Sequence, residues 1–111
     1  MFHTSYIEIS RSAYKNNIRY LRRIIGKGVR ISSVIKGNAY GHGVKNIVPL
    51  AEETGIRHFS VFSAREAHEV HDVASPESRI MIMGHLDDDQ MEWAIAHGIE
   101  FFVFDRERLE S

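Results

Sequence analysis

Ile31-Ser32-Ser33-Val34-Ile35-Lys36-Gly37-Asn38-Ala39-Tyr40-Gly41-His42-Gly43 joins an apolar strand to a glycine-punctuated turn that opens a helix. The strand is expected over residues 29–36. By parity, Ile31, Ser33 and Ile35 share one face, and Ser32, Val34 and Lys36 share the other. If helices cover the Ile31 and Ile35 side, Val34 and Lys36 look toward the opposite, interior side. A lysine is an odd last residue for such a strand unless an amine is needed there. Desolvation lowers a lysine's pKa, so a half-buried Lys36 is suited to be the neutral nucleophile that condenses with an aldehyde. Without further context, a solvated lysine at a strand end is the plainer reading.

Outward from this stretch the chain alternates between two periods. Tyr6-Ile7-Glu8-Ile9 alternates as a short strand. Ser10 is placed to cap a helix over Arg11–Ile25, with Tyr14, Ile18, Leu21 and Ile25 as its apolar stripe and Gly26-Lys27-Gly28 as its stop. A helix is expected over 44–54, with Val44, Ile47, Val48 and Ala51 inward and Gly55 ending it. A strand follows over 58–62. Ser63-Ala64-Arg65-Glu66 has the form of a capping box, a good helix start. Ala67, Val70 and Val73 form that helix's stripe. Residues 79–84 form a strand too apolar to show a face to water. Asp87-Asp88-Asp89 place acids where the macrodipole of the next helix favours them, and Gly98 ends it. Residues 100–104 read as another buried strand, and Asp105 as a cap.

Apolar strands alternating with amphipathic helices specify an α/β fold with a parallel sheet covered by helices. Their spacing does not separate an open doubly wound sheet from a barrel. The 111 residues suffice for one domain that buries somewhat over ~60% of its unfolded surface. With 43% hydrophobic and 26% charged residues and a net charge of −1, nothing points to nucleic acid or an anionic membrane. No apolar run approaches a membrane span, and no signal peptide is visible. The absence of cysteine removes disulfides and thiolate metal sites, and fits a cytoplasmic protein.

Val34-Ile35-Lys36-Gly37-Asn38-Ala39-Tyr40-Gly41-His42-Gly43 resembles the pyridoxal-phosphate signature of the alanine racemases, with Gly37 where that family usually has alanine. A weaker resemblance runs from the Glu8 segment to the Asp105 region. It implies the N-terminal part of an eight-stranded TIM-like α/β barrel, with about four parallel strands. A full barrel needs ~250 residues, so four strands cannot close one. Within 1–111 it implies an opening strand over 1–9 and βα units over 10–111, without the family's C-terminal β domain. The opening strand would pack on that domain and should be frayed without it.

The resemblance also implies chemistry. Lys36 matches the lysine that forms the internal aldimine with pyridoxal 5'-phosphate and serves as one of two catalytic bases. Tyr40 matches the tyrosine that reaches the cofactor phosphate, and Val34 a residue lining the cofactor. Met83 matches a position where leucine usually lies against the cofactor ring; Val34 and Met83 are each equally compatible with plain core packing. The opposing tyrosine base, from the partner subunit's C-terminal domain, and the arginine on the pyridine nitrogen would fall beyond residue 111. The implied parent is a cytoplasmic homodimer interconverting L- and D-alanine for peptidoglycan, and this chain alone is expected to be inactive. A racemase of the same fold acting on serine or a basic amino acid remains open. So does a non-catalytic half-barrel module whose open sheet edge is covered by a second copy.

Other patterns carry less. Gly37, Gly41 and Gly43 match neither the P-loop nor the dinucleotide fingerprint, and read better as turn formers than as a phosphate cradle. His42 either steadies the turn or is simply exposed. His68 and His71 stand at i, i+3 rather than the i, i+4 of a zinc helix, and no metal is expected. The three aspartates are a helix start before they are a cation site.

Overall fold

The computed structural model describes residues 5–110; residues 1–4, the front of the expected opening strand, and Ser111 lie outside them. Helix α1, Arg11–Ile25, begins as expected, with the Ser10 hydroxyl accepting the Ala13 N–H at 3.2 Å. It ends where Gly26 turns to φ +77 and donates its N–H to Arg22 O. Only Tyr14 and Ile18 of its stripe pack inward. Leu21 and Ile25 are exposed, because α1 packs mainly along α3 (Val44–Glu53) and nothing among the described residues covers its last turns.

Four parallel strands follow in the order β1 (Ser33–Val34), β2 (His58–Val61), β3 (Arg79–Ile82) and β4 (Glu100–Phe101). Ser33 pairs with Phe59, Phe59 with Ile80, and Ile82 with Phe101. Helices α3, α4 (Ala64–Val73) and α5 (Asp88–Ala96) are the crossovers, and α6 (Arg106–Glu110) closes the series. Between β1 and α3 lies a short element, α2, over Lys36–Tyr40. Glycines with positive φ at Gly55 and Gly98 follow α3 and α5, where helix stops were expected.

The edge strands are shorter than the sequence pattern suggests. The 29–36 strand has regular pairing only at Ser33–Val34, extended by the Ile35 N–H to Ser60 O at 2.9 Å. Over 100–104 only Glu100 and Phe101 join the ladder. An edge strand has one neighbour, so its ladder stops where that neighbour curves away. Residues 6–9 form no strand; Tyr6 and Ile7 are exposed and have no ladder partner among the described residues.

Helices cover one face of the sheet. Ile35, Phe59, Val61, Ile80 and Ile82 pack there against Val48, Ala51, Ala67, Val70 and Ala94, all buried. Each such large side chain stabilises the fold by about 1.5–3 kcal/mol. The other face is open. The 79–84 segment therefore does show a face to water: Arg79 is exposed, and Met81 and Met83 are half-buried. Phe102, Val103 and Phe104, expected to be buried, are exposed. Across this face Ser32 Oγ meets Ser60 Oγ at 2.6 Å and His58 Nδ1 at 2.7 Å, while His58 Nε2 meets Glu100 Oε1 at 2.8 Å. The network satisfies the two buried polar side chains, His58 and Ser60, and ties three strands together. Extents of 46 × 44 × 22 Å describe a two-layer slab, an unclosed arc of a barrel.

Candidate functional site

The site begins where β1 ends. In α2, Gly37, Asn38, Ala39 and Tyr40 all have φ between +54 and +63, so this single turn is left-handed. Left-handed helical conformation costs an L-residue about 1–2 kcal/mol, and only glycine adopts it freely. The turn is held from within. Gly41 N–H donates to Gly37 O, His42 N–H to Ala39 O, and Gly43 N–H to Asn38 O, at 2.8–3.0 Å. Asn38 Oδ1 accepts the Val44 N–H at 3.0 Å and caps α3. His42 Nδ1 lies 3.0 Å from Ala39 O, so His42 steadies the turn. With these N–H groups already engaged, the glycines act as turn formers rather than as an anion cradle.

Lys36 is the first residue of this turn. Its side chain is exposed, and its amine makes no ion pair or hydrogen bond among the described residues. The expectation of a half-buried lysine is therefore corrected: Lys36 is exposed, beside the open face of the sheet. Parity holds, with Ile35 buried under the helices and Val34 on the open face. Val34 and Tyr40 line one cleft of about 370 Å³ together with Tyr14, Ser33 and His42. Burial pushes the Tyr14 hydroxyl above the usual tyrosine range, partly offset by a hydrogen bond with Ser33.

Lys36 and Met83 do not line that cleft. Val34 pairs with Ser60 and Ser60 with Met81, so these three share one layer of the open face. Met83 donates its N–H to Val61 O at 2.8 Å, and Gly84 donates to Phe62 O at 2.9 Å. A Cβ at Gly84 would stand 2.5 Å from Phe62 O, so this strand end closes tightly on its neighbour.

The helix start expected at residues 63–66 is present, and Glu66 does more than start it. Ser63 Oγ does accept the Glu66 N–H, at 3.3 Å. The Glu66 carboxylate, however, does not return to Ser63. Its Oε1 accepts the Phe62 N–H and its Oε2 accepts the Gly37 N–H, each at 2.7 Å. The Ser-x-x-Glu spacing signalled a helix start and carried no sign of the second, long-range bond.

The remaining patterns resolve into packing. His68 stacks on Trp93 with ring centroids 3.6 Å apart, and His71 meets the edge of His97 at 5.2 Å. Among the described residues no group of three histidine, cysteine or acidic side chains is placed to hold a metal. Asp87 precedes α5, and Asp88 and Asp89 lie in its first turn. Asp105 caps α6 by accepting the Arg108 N–H at 2.7 Å. No helix among the described residues is long and apolar enough to cross a membrane.

A parallel sheet with helices on one face and a lysine-bearing turn at its carboxyl edge defines the class: the first strands of an α/β barrel, not closed within this chain. Residues 9–111 match the family of the alanine racemase N-terminal domain, and the chain belongs to that family. It is 32% identical over 99 residues to alanine racemase 1 of Caldanaerobacter subterraneus subsp. tengcongensis, a match covering 89% of this chain and 25% of that protein. It is 31% identical over 101 residues to a lysine racemase of Proteus mirabilis, covering 91% of this chain and 25% of the relative. The crystal structure of alanine racemase from Bartonella henselae, with covalently bound pyridoxal phosphate, matches with a TM-score of 0.81 at 26% identity, over 92% of this chain and 28% of that one. The Bacillus anthracis enzyme shares the fold, with a TM-score of 0.87 at 24% identity, over 99% of this chain and 28% of that one. The chain thus spans about a quarter of the length of the relatives it matches.

Proposed function

We propose that this chain provides the cofactor-carrying lysine and its turn to a pyridoxal-phosphate-dependent alanine racemase. The observation that carries the reading is the family match over residues 9–111, with the motif around Lys36 at the carboxyl end of the first sheet strand. Barrel enzymes place their chemistry at that end. The donor set fits the group. Lys36 offers the amine for an aldehyde, and Tyr40, four residues on in the same turn, offers a hydroxyl for a phosphate. Val34 and Met83 offer apolar contact for a ring, with Val34 and Tyr40 already sharing a cleft.

When bound, pyridoxal phosphate supplies the electron sink that makes the α-proton of an amino acid labile. Lys36 would hold the cofactor and would move a proton at the substrate's α-carbon. Tyr40 would fix the phosphate, while Val34 and Met83 would keep water from one side of the ring. The opposing base would come from outside residues 1–111, in a dimeric cytoplasmic parent that supplies D-alanine for peptidoglycan. Activity on a basic amino acid is the second reading, supported by the similarity to a lysine racemase.

Borohydride trapping with pyridoxal phosphate, followed by peptide mapping, tests the reading. Labelling concentrated at Lys36 over Lys15, Lys27 and Lys45, and lost in Lys36→Ala, is expected. Labelling spread evenly over the lysines would defeat it.

A further inference from the structure

The β1–β2 ladder ends at the bond from Ile35 N–H to Ser60 O. Beyond it the two strands part, and on each side one further N–H points into the gap: that of Gly37, directly after Lys36, and that of Phe62, directly after β2. A single carboxylate takes both, Glu66 Oε2 from Gly37 and Oε1 from Phe62, each at 2.7 Å. Glu66 is itself held in the first turn of α4, where its N–H bonds to Ser63 Oγ and the helix macrodipole favours its charge. Charge-assisted bonds of this length are among the strongest that a backbone N–H makes. One of them fixes the peptide unit that joins Lys36 to Gly37.

We propose that Glu66 is the positioning residue of Lys36. By gripping the Lys36–Gly37 peptide and the end of β2 together, it sets the direction in which the Lys36 side chain leaves the sheet. This rests on the reading of Lys36 as the cofactor-binding amine. Glu66 touches no reacting atom; it acts through the backbone.

The test is the ratio of pyridoxal phosphate trapped at Lys36 to that trapped at Lys45, with circular dichroism melts run on each protein. In Glu66→Ala the ratio should fall by about tenfold or more, the scale that loss of a charge-assisted hydrogen bond allows. Glu66→Gln retains one acceptor oxygen and should fall between Glu66→Ala and the wild type; should the alanine variant fail to fold, it carries the test. Ser63→Ala removes the cap on the Glu66 N–H but keeps the Glu66 carboxylate and both of its N–H partners. It should lower the melting temperature and leave the ratio unchanged. Hydrogen exchange at the Gly37 and Phe62 amides should accelerate in both Glu66 variants and not in Ser63→Ala. A folded Glu66 variant with the wild-type ratio overturns the role of Glu66 alone, as does an equal fall in Ser63→Ala. A wild-type chain that shows no preference for Lys36 overturns the reading of Lys36 and this role with it.

Discussion

At Gly37 the backbone stands at φ +63, and an added Cβ would meet nothing within 4 Å. The cost of a side chain there is therefore conformational, not steric crowding by neighbours. Gly37→Ala should lower stability by about 1 kcal/mol, read as a shift of the urea midpoint at constant slope. Glu52 offers a pH-dependent counterpart. Burial pushes its carboxyl up, but hydrogen bonds from the Ser78 hydroxyl and the Ser75 N–H, with the Arg57 charge, outweigh this and hold it below the usual glutamate range. Because the folded value is depressed, the contribution is complete above the unfolded value of about 4.3 and is lost as pH falls through the folded one. Urea midpoints from about pH 5 to about pH 3 should fall more steeply for the wild type than for Glu52→Gln. Parallel curves would show that the Glu52 contacts contribute nothing.

Elements divide into those settled locally and those that need a neighbour. Helix α1 begins at its Ser10 cap, and Ser10→Ala should cost about 1 kcal/mol by thermal melt. Residues 6–9 carry a strand's alternation but pair with nothing among the described residues, so their amides should exchange fast throughout. Strong protection in a monomer would contradict that. Periodicity located α1, α3, α4 and α5 to within a residue or two because an amphipathic stripe is a local property. It overstated the edge strands over 29–36 and 100–104, because a strand's length depends on its partner.

For the whole molecule, the open sheet face is the dominant feature. Phe62, Phe102 and Phe104 are 59%, 46% and 65% exposed on or beside it. Contiguous apolar exposure of this kind binds dyes and partners. The chain should enhance anilinonaphthalene sulfonate fluorescence, and Phe62→Ser with Phe102→Ser should reduce that enhancement without lowering the melting temperature. An unchanged signal would mean that the dye binds elsewhere. Sedimentation adds a second measurement: a discrete dimer supports a half-barrel module closed by its own copy, and open-ended association supports a face made to meet other strands.

The sequence by itself determined the alternation of strand and helix, the parity that turns Val34 away from the helices, the caps at Ser10 and Asp105, and the ten-residue motif around Lys36. All of these are properties of neighbours along the chain. Only the tertiary structure decided that the turn after Lys36 is left-handed, that Glu66 spans from Phe62 to Gly37, and that Ser32, His58 and Glu100 meet across three strands. The reason is physical. A side chain's partner forty residues away is chosen by register and sheet curvature, and one carboxylate has the same local sequence whether it closes its own helix or grips another strand's end. Lys36 shows both sides: its place at the end of the first strand was legible in the sequence, while its exposure was set by the open face beside it.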